Sequence, residues 1–174
     1  QVALLEVRAA VPQPLELPEK TSHGSRGHPE LCRRPCLHFA KRNCPHGEEC
    51  KYCHLSHSTR QCGLDKRSRL LLKSLPAGQL LALLLPPLRA RMSKLPHQEE
   101  AAGFLQAMEQ EADGWCEEGH QKLQKRMEVM TFASLIGLIS YASDVSGGLA
   151  QMAQDLLETL RAASQLAPNA VSEI

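Results

Sequence analysis

The chain has 174 residues, and its 20 Lys and Arg against 19 Asp and Glu leave a formal charge of +1, which excludes a uniformly basic nucleic-acid coat and a net-acidic tail. Aromatic residues make up 3% of the chain, namely Phe39, Tyr52, Phe104, Trp115, Phe132 and Tyr141, too few for the core of a β-sandwich or barrel. The neutral total hides an asymmetry: residues 30–73 carry ten bases and four acids, and residues 98–174 carry twelve acids and four bases. A basic, polyanion-facing module joined to a different, acidic module is the expected organisation.

Residues 1–29 hold Pro12, Pro14, Pro18 and Pro29 with Ser22, Gly24, Ser25 and Gly27, the composition of a disordered leader. Residues 30–57 show neither a helical nor a strand period and contain most of the cysteine. Six of the seven Cys fall between Cys32 and Cys62, interleaved with His, which favours metal over a disulfide framework. Cys36, Cys44, Cys50 and His54 are separated by seven, five and three residues. Three thiolates and an imidazole can close a tetrahedron, and soft sulfur ligands select zinc over calcium or magnesium. A segment this short and poor in apolar residues needs such a staple to fold, since below about 40 residues a core alone rarely suffices. Gly47 suits the tight turn between the second and third ligands. Other pairings are open to the same residues. Cys32 and Cys36 with Cys50 and Cys53 make a four-Cys set, and Cys53 and His57 repeat the three-residue spacing. With the first set chosen, Cys32, Cys53 and Cys62 are expected to be non-ligand thiols, and one zinc ion is expected.

The Cys-x7-Cys-x5-Cys-x3-His pattern resembles the CCCH-type zinc fingers, with Phe39 and Tyr52 at the family's two aromatic positions and Gly47 at its glycine. Arg42 departs from the glycine that many members carry two residues before the second Cys. The wider stretch, Gly24-Ser-Arg-Gly-His28, Cys32-x3-Cys36, Tyr52-Cys-His54 and Lys66-Arg-Ser-Arg, is similar to a single-finger group abundant in dinoflagellates and related protists. The resemblance covers residues 22–70 and implies binding of short single-stranded RNA. Bases would stack on Phe39 and Tyr52, and Arg33, Arg34, Lys41, Arg42 and Lys51 would supply positive charge. Lys66, Arg67, Arg69 and Lys73 would extend the phosphate track. It also implies a nuclear or cytoplasmic location, where thiolates stay reduced. The rival reading is a protein-interaction adaptor in which the finger is only a scaffold.

Residues 58–97 read as basic and leucine-rich linker helices. One is expected over 65–75, ended by Pro76, and one over 78–85, stopped by Pro86-Pro87. Residues 98–174 read as an acidic amphipathic helical region. Ala101, Phe104, Leu105, Met108, Ala112, Trp115, Gly119, Leu123 and Met127 recur every three or four places, which predicts one long helix. A second helix is expected over 130–142. A third carries Leu149, Met152, Ala153, Leu156, Leu160 and Ala163. This region is expected to close a bundle on itself, with a protein partner or self-association through residues 98–165 as the other use of its apolar face. Residues 129–143 are an uncharged run of fifteen, short of the roughly 20 a membrane span needs. No Gly-rich phosphate loop, His-Glu-x-x-His or Gly-x-Ser-x-Gly occurs, so catalysis is not expected. The whole reads as a small irregular zinc-stapled finger followed by an all-α segment.

Overall fold

The most apolar run of the sequence sits at the centre of the molecule. The computed structural model describes residues 21–57, 64–95, 97–113, 120–142 and 144–166. Its helices in chain order are α1 (Leu37–Ala40), α2 (Lys66–Ser74), α3 (Ala77–Met92), α4 (Gln98–Glu111), α5 (Gln121–Met127), α6 (Phe132–Ile136) and α7 (Gly147–Leu166). Among the described residues the only β-pairing is an isolated parallel bridge between Pro35 and Cys53. No helix among them is long and apolar enough to cross a membrane.

Helix α3 packs against α4, α5 and α6, and α4 packs in turn against α7. Leu80, Leu81, Leu83, Leu84 and Leu88 of α3 are all completely buried. With so wide an apolar face and contacts to three other helices, this segment is the hub of the helical body. It also runs through Pro86 and Pro87, where the sequence pattern predicted a stop. Each proline removes an intrahelical hydrogen bond at a cost of about 3 kcal/mol. Burying Leu83, Leu84, Leu85 and Leu88 contributes roughly 1.5–3 kcal/mol apiece, which outweighs the two losses.

The acidic half behaves less simply than its periodicity predicts. The expected long helix ends at Glu111, and Ala112 is extended. The chain resumes as a helix at α5, which buries Leu123 and Met127; Trp115 and Gly119 of the proposed stripe lie outside the described residues. The expected helix over 130–142 is the short α6 followed by a 3-10 turn, Ile139–Tyr141. Helix α7 buries Leu149, Ala153, Leu156 and Leu160 as expected and leaves Met152 exposed.

Side chains fix several helix starts. Asp65 caps α2 by accepting from the Ser68 N–H at 2.7 Å, which holds its carboxyl below the usual range, with Arg126 adding to the effect. Thr131 caps α6 through the Ser134 N–H, and the Asp144 carboxylate accepts from Ala77 N at the start of α3. Ion pairs tie the helices across the chain: Arg89 of α3 pairs with Glu109 of α4, and Arg126 of α5 with Asp65 at the start of α2.

Residues 22–29, expected within the disordered leader, are part of the folded module. A 3-10 turn, His23–Ser25, lies against the finger: Gly24 N donates to Cys50 O at 2.9 Å, and the Ser22 hydroxyl donates to Tyr52 O at 2.6 Å. A Cβ on Gly24 would come within 2.3 Å of the Tyr52 backbone carbon, so only glycine permits the approach. Residues 1–20 of the expected leader lie outside the described residues.

Candidate metal centre

Four extended or tightly turned segments bring the sequence-predicted ligands together. Cys36 opens α1, Cys44 follows the loop after it, Cys50 ends the 3-10 turn Gly47–Glu49, and His54 follows the Pro35–Cys53 bridge. Gly47, at φ +48°, makes the turn between the second and third ligands as the sequence suggested. The loop between the first two ligands is closed by a Schellman motif. Asn43 N donates to His38 O and Arg42 N to Phe39 O, at 2.9 and 2.8 Å. That motif needs a left-handed residue, and Arg42 supplies it at φ +59°. Arg42 therefore holds the position in this loop whose backbone favours glycine.

The donor atoms of Cys36, Cys44, Cys50 and His54 all lie within 4.8 Å of one another. The Cys36 sulfur is 3.7 Å from that of Cys44 and 3.8 Å from that of Cys50. A tetrahedral ion with sulfur at about 2.3 Å sets its sulfurs roughly 3.8 Å apart, so the spacing is that of a metal tetrahedron. Cys36, Cys50 and His54 are buried and Cys44 is half-buried. Both ring nitrogens of His54 are buried without a hydrogen-bond partner, a costly state that an ion bound to one of them relieves. The Phe39 N–H points at the Cys36 sulfur at 3.4 Å, and the Tyr52 N–H at that of Cys50 at 3.5 Å. Burial pushes the Cys36 thiol up, but the Phe39 N–H and the neighbouring thiols more than reverse it, so the net shift is downward. Burial lifts the Cys50 thiol to about 11 against the pull of the Tyr52 N–H. These residues fit a metal ion.

A second group stands beside the first. His28, Cys32, Cys53 and His57 also bring one donor atom each within 4.8 Å of the others. Cys32 and Cys53, expected to be non-ligand thiols, thus belong to a candidate site of their own, and the four-Cys alternative is split between the two groups. Their hydrogen bond pulls Cys53 down to about 4 and raises Cys32 well above the usual thiol range. The two groups interleave at Cys53-His54, where neighbouring side chains serve different sites, as successive residues of extended backbone do. The Cys53–His57 spacing was the available signal; His28 was missed because it lay in a segment read as leader. Cys62 and Cys116 lie outside the described residues.

The residues proposed to contact RNA are distributed around the first group. Phe39 is half-buried and stacks on the His54 ring, with centroids 4.1 Å apart and planes 7° from parallel. Tyr52 is 54% exposed and Leu37 76% exposed. Arg33, Arg34, Lys41, Arg42 and Lys51 are all exposed. Lys66, Arg69 and Lys73 of α2 line a shallow cleft with Tyr141, over which the Lys73 ammonium sits at 5.9 Å.

No family model, curated protein or solved structure matches this chain.

Proposed function

We propose that the Cys36, Cys44, Cys50 and His54 group is a CCCH-type zinc finger, that the chain is not an enzyme, and that the finger binds short single-stranded RNA. The Cys/His group is compatible with a zinc-binding protein. Three sulfurs and one nitrogen suit zinc. Four protein ligands leave no open position for water or substrate, so a structural ion fits the set and a catalytic one does not.

The observation that carries the RNA reading is Tyr52. The residue is 54% exposed although it stands two residues before buried His54, and exposed Arg33, Arg34, Lys41, Arg42 and Lys51 share the module with it. An exposed aromatic within a basic surface is the arrangement on which bases stack while phosphates are neutralised. Phe39 is half-buried with one face committed to His54, so Tyr52 is the more available platform. The cleft lined by Lys66, Arg69 and Lys73 offers further positive charge on α2.

One stacked base contributes about 1–3 kcal/mol, and a millimolar dissociation constant already corresponds to about 4 kcal/mol. One finger alone therefore binds weakly, and useful affinity requires a second contact or a partner. The test is fluorescence anisotropy with short single-stranded RNA. Tyr52→Ala is the clean variant, because Phe39 supports a ligand and Tyr52 is exposed. Binding that weakens as salt rises, and weakens about fivefold or more in Tyr52→Ala, supports the reading. Salt-independent binding, or equal affinity of wild type and variant, overturns it. In that case a partner held through residues 98–165 would favour the adaptor.

A further inference from the structure

We infer that His28, Cys32, Cys53 and His57 hold a second tetrahedral metal ion, of the class that includes zinc, and that this ion joins the finger to the helical body. The geometry carries the first half. The Cys53 sulfur lies 3.5 Å from His28 Nδ1, and the Cys32 sulfur 3.9 Å from His57 Nε2. A tetrahedron with sulfur at about 2.3 Å and nitrogen at 2.0–2.1 Å has sulfur–nitrogen edges of roughly 3.6 Å. The two rings stand edge to face, with centroids 4.7 Å apart and planes at 73°, so their nitrogens converge from different directions. Cys32 and Cys53 are 4% and 2% exposed, and both carry free sulfurs.

Ligand chemistry supports the placement. Two thiolates and two neutral imidazoles around a divalent ion make a neutral unit, whereas three thiolates leave the first group with a net negative charge. In the neutral set Cys32 is buried directly after Leu31, a residue of the apolar core, where an uncompensated charge is costly.

The second half rests on what lies between the ligands. His28 and Cys32 bracket Glu30 and Leu31, the two residues that anchor the module to the helices. The Glu30 carboxylate accepts from Arg91 at 2.9 Å and from Phe132 N at 2.9 Å, and its backbone carbonyl accepts from Ala133 N. The Leu31 side chain is 1% exposed within the helical core, and its carbonyl accepts from Arg161 Nε at 2.8 Å. An ion linking His28 and Cys32 to Cys53 and His57 therefore ties the anchoring turn to the end of the finger. Around it the backbone is already stitched: Cys36 N donates to Cys53 O at 2.8 Å, and Cys53 N to Arg34 O at 2.9 Å.

This inference is independent of the first group, since Cys44 belongs only to that group and Cys32 only to the second. The experiment is native mass spectrometry of the full chain purified with zinc, on wild type, Cys44→Ser and Cys32→Ser. Two ions in wild type, with one lost in each variant, is the expected result. One ion lost in Cys44→Ser and kept in Cys32→Ser overturns the second site and leaves the first. One ion with the opposite pattern upholds the second site and removes the first. A wild-type mass short by two hydrogens, with a Cys32–Cys53 disulfide and no second ion, also overturns it. X-ray absorption on the wild-type protein needs no variant to fold: a mean sulfur count between two and three per ion is expected, and three sulfurs with one nitrogen overturns the inference.

Discussion

The metal module and the helical body solve the folding problem by different means. In residues 64–166 a single cluster of buried leucine, isoleucine, phenylalanine and methionine carries the structure, centred on α3. Residues 21–57 contribute one side chain to that cluster, Leu31, and bury cysteine, serine and histidine instead. One region is held by apolar area, and the other brings together Cys and His groups that could hold a metal ion, so a chelator distinguishes the two. Chelation is expected to abolish the fold of 21–57 and leave most helical signal intact, because the module's only α-helix is the four residues of α1. Zinc supplies about 10–16 kcal/mol of apparent folding free energy in small fingers, the largest effect expected here. Amide NMR dispersion lost for 21–57 with far-ultraviolet circular dichroism nearly unchanged would show it. An unchanged spectrum after chelation would remove the metal reading altogether.

The converse substitution belongs in α3. Leu84 is completely buried, and truncation to alanine is expected to cost about 2–5 kcal/mol. Leu37, 76% exposed on the finger, should tolerate the same change within about 0.5 kcal/mol. Thermal or denaturant unfolding reads both, and equal losses would show that the two regions share one kind of core.

Between these extremes lies the joint. Glu30 and Arg91 are 9% and 17% exposed at their side chains, and the Phe132 N–H depends on the same carboxylate. Glu30→Ala removes one partner of a buried pair, a change that costs about 3–5 kcal/mol when burial is complete and nearer 2–3 kcal/mol with this partial exposure. Glu30→Gln keeps a carbonyl acceptor and should lose less. If unfolding monitored in the helical body is insensitive to both, the module is not anchored through Glu30.

The two regions also differ in how legible they were. The group Cys36, Cys44, Cys50 and His54, whose donor atoms the fold brings together, was legible from spacing, because a metal would demand particular atoms at short range. The second group was not, since His28 and Cys53 come together only when the turn at 22–31 folds under the finger. In the helical body, the faces of α4 and α7 were legible because one-sided burial writes a period into the sequence. Helix α3 was not, because leucine at most positions of 80–88 hides the period and its two prolines look like a stop. The break at Ala112 was hidden by apolar positions that keep helical spacing on either side of it. Glu30, a lone carboxylate in a short stretch with no period, gave no sign that it would be buried against Arg91.

The smallest expected effect is the one on which the proposed roles of one residue conflict. Arg42 holds a left-handed conformation at φ +59° in the Schellman motif that closes the first ligand loop. A side chain there costs about 1–2 kcal/mol, while glycine gives back roughly 0.5–1 kcal/mol through its freer unfolded chain. Arg42→Gly should therefore stabilise the metal-bound module by up to about 1 kcal/mol, equivalent to zinc bound roughly fivefold more tightly, measurable by competition with a chelator. The same change removes one exposed guanidinium from the basic surface, so RNA affinity should fall and its salt dependence should flatten by about one phosphate contact. Opposite signs for zinc and RNA would separate the backbone role of this position from its charge. A fall in both would mean that the Arg42 side chain supports the fold in a way its exposure does not suggest.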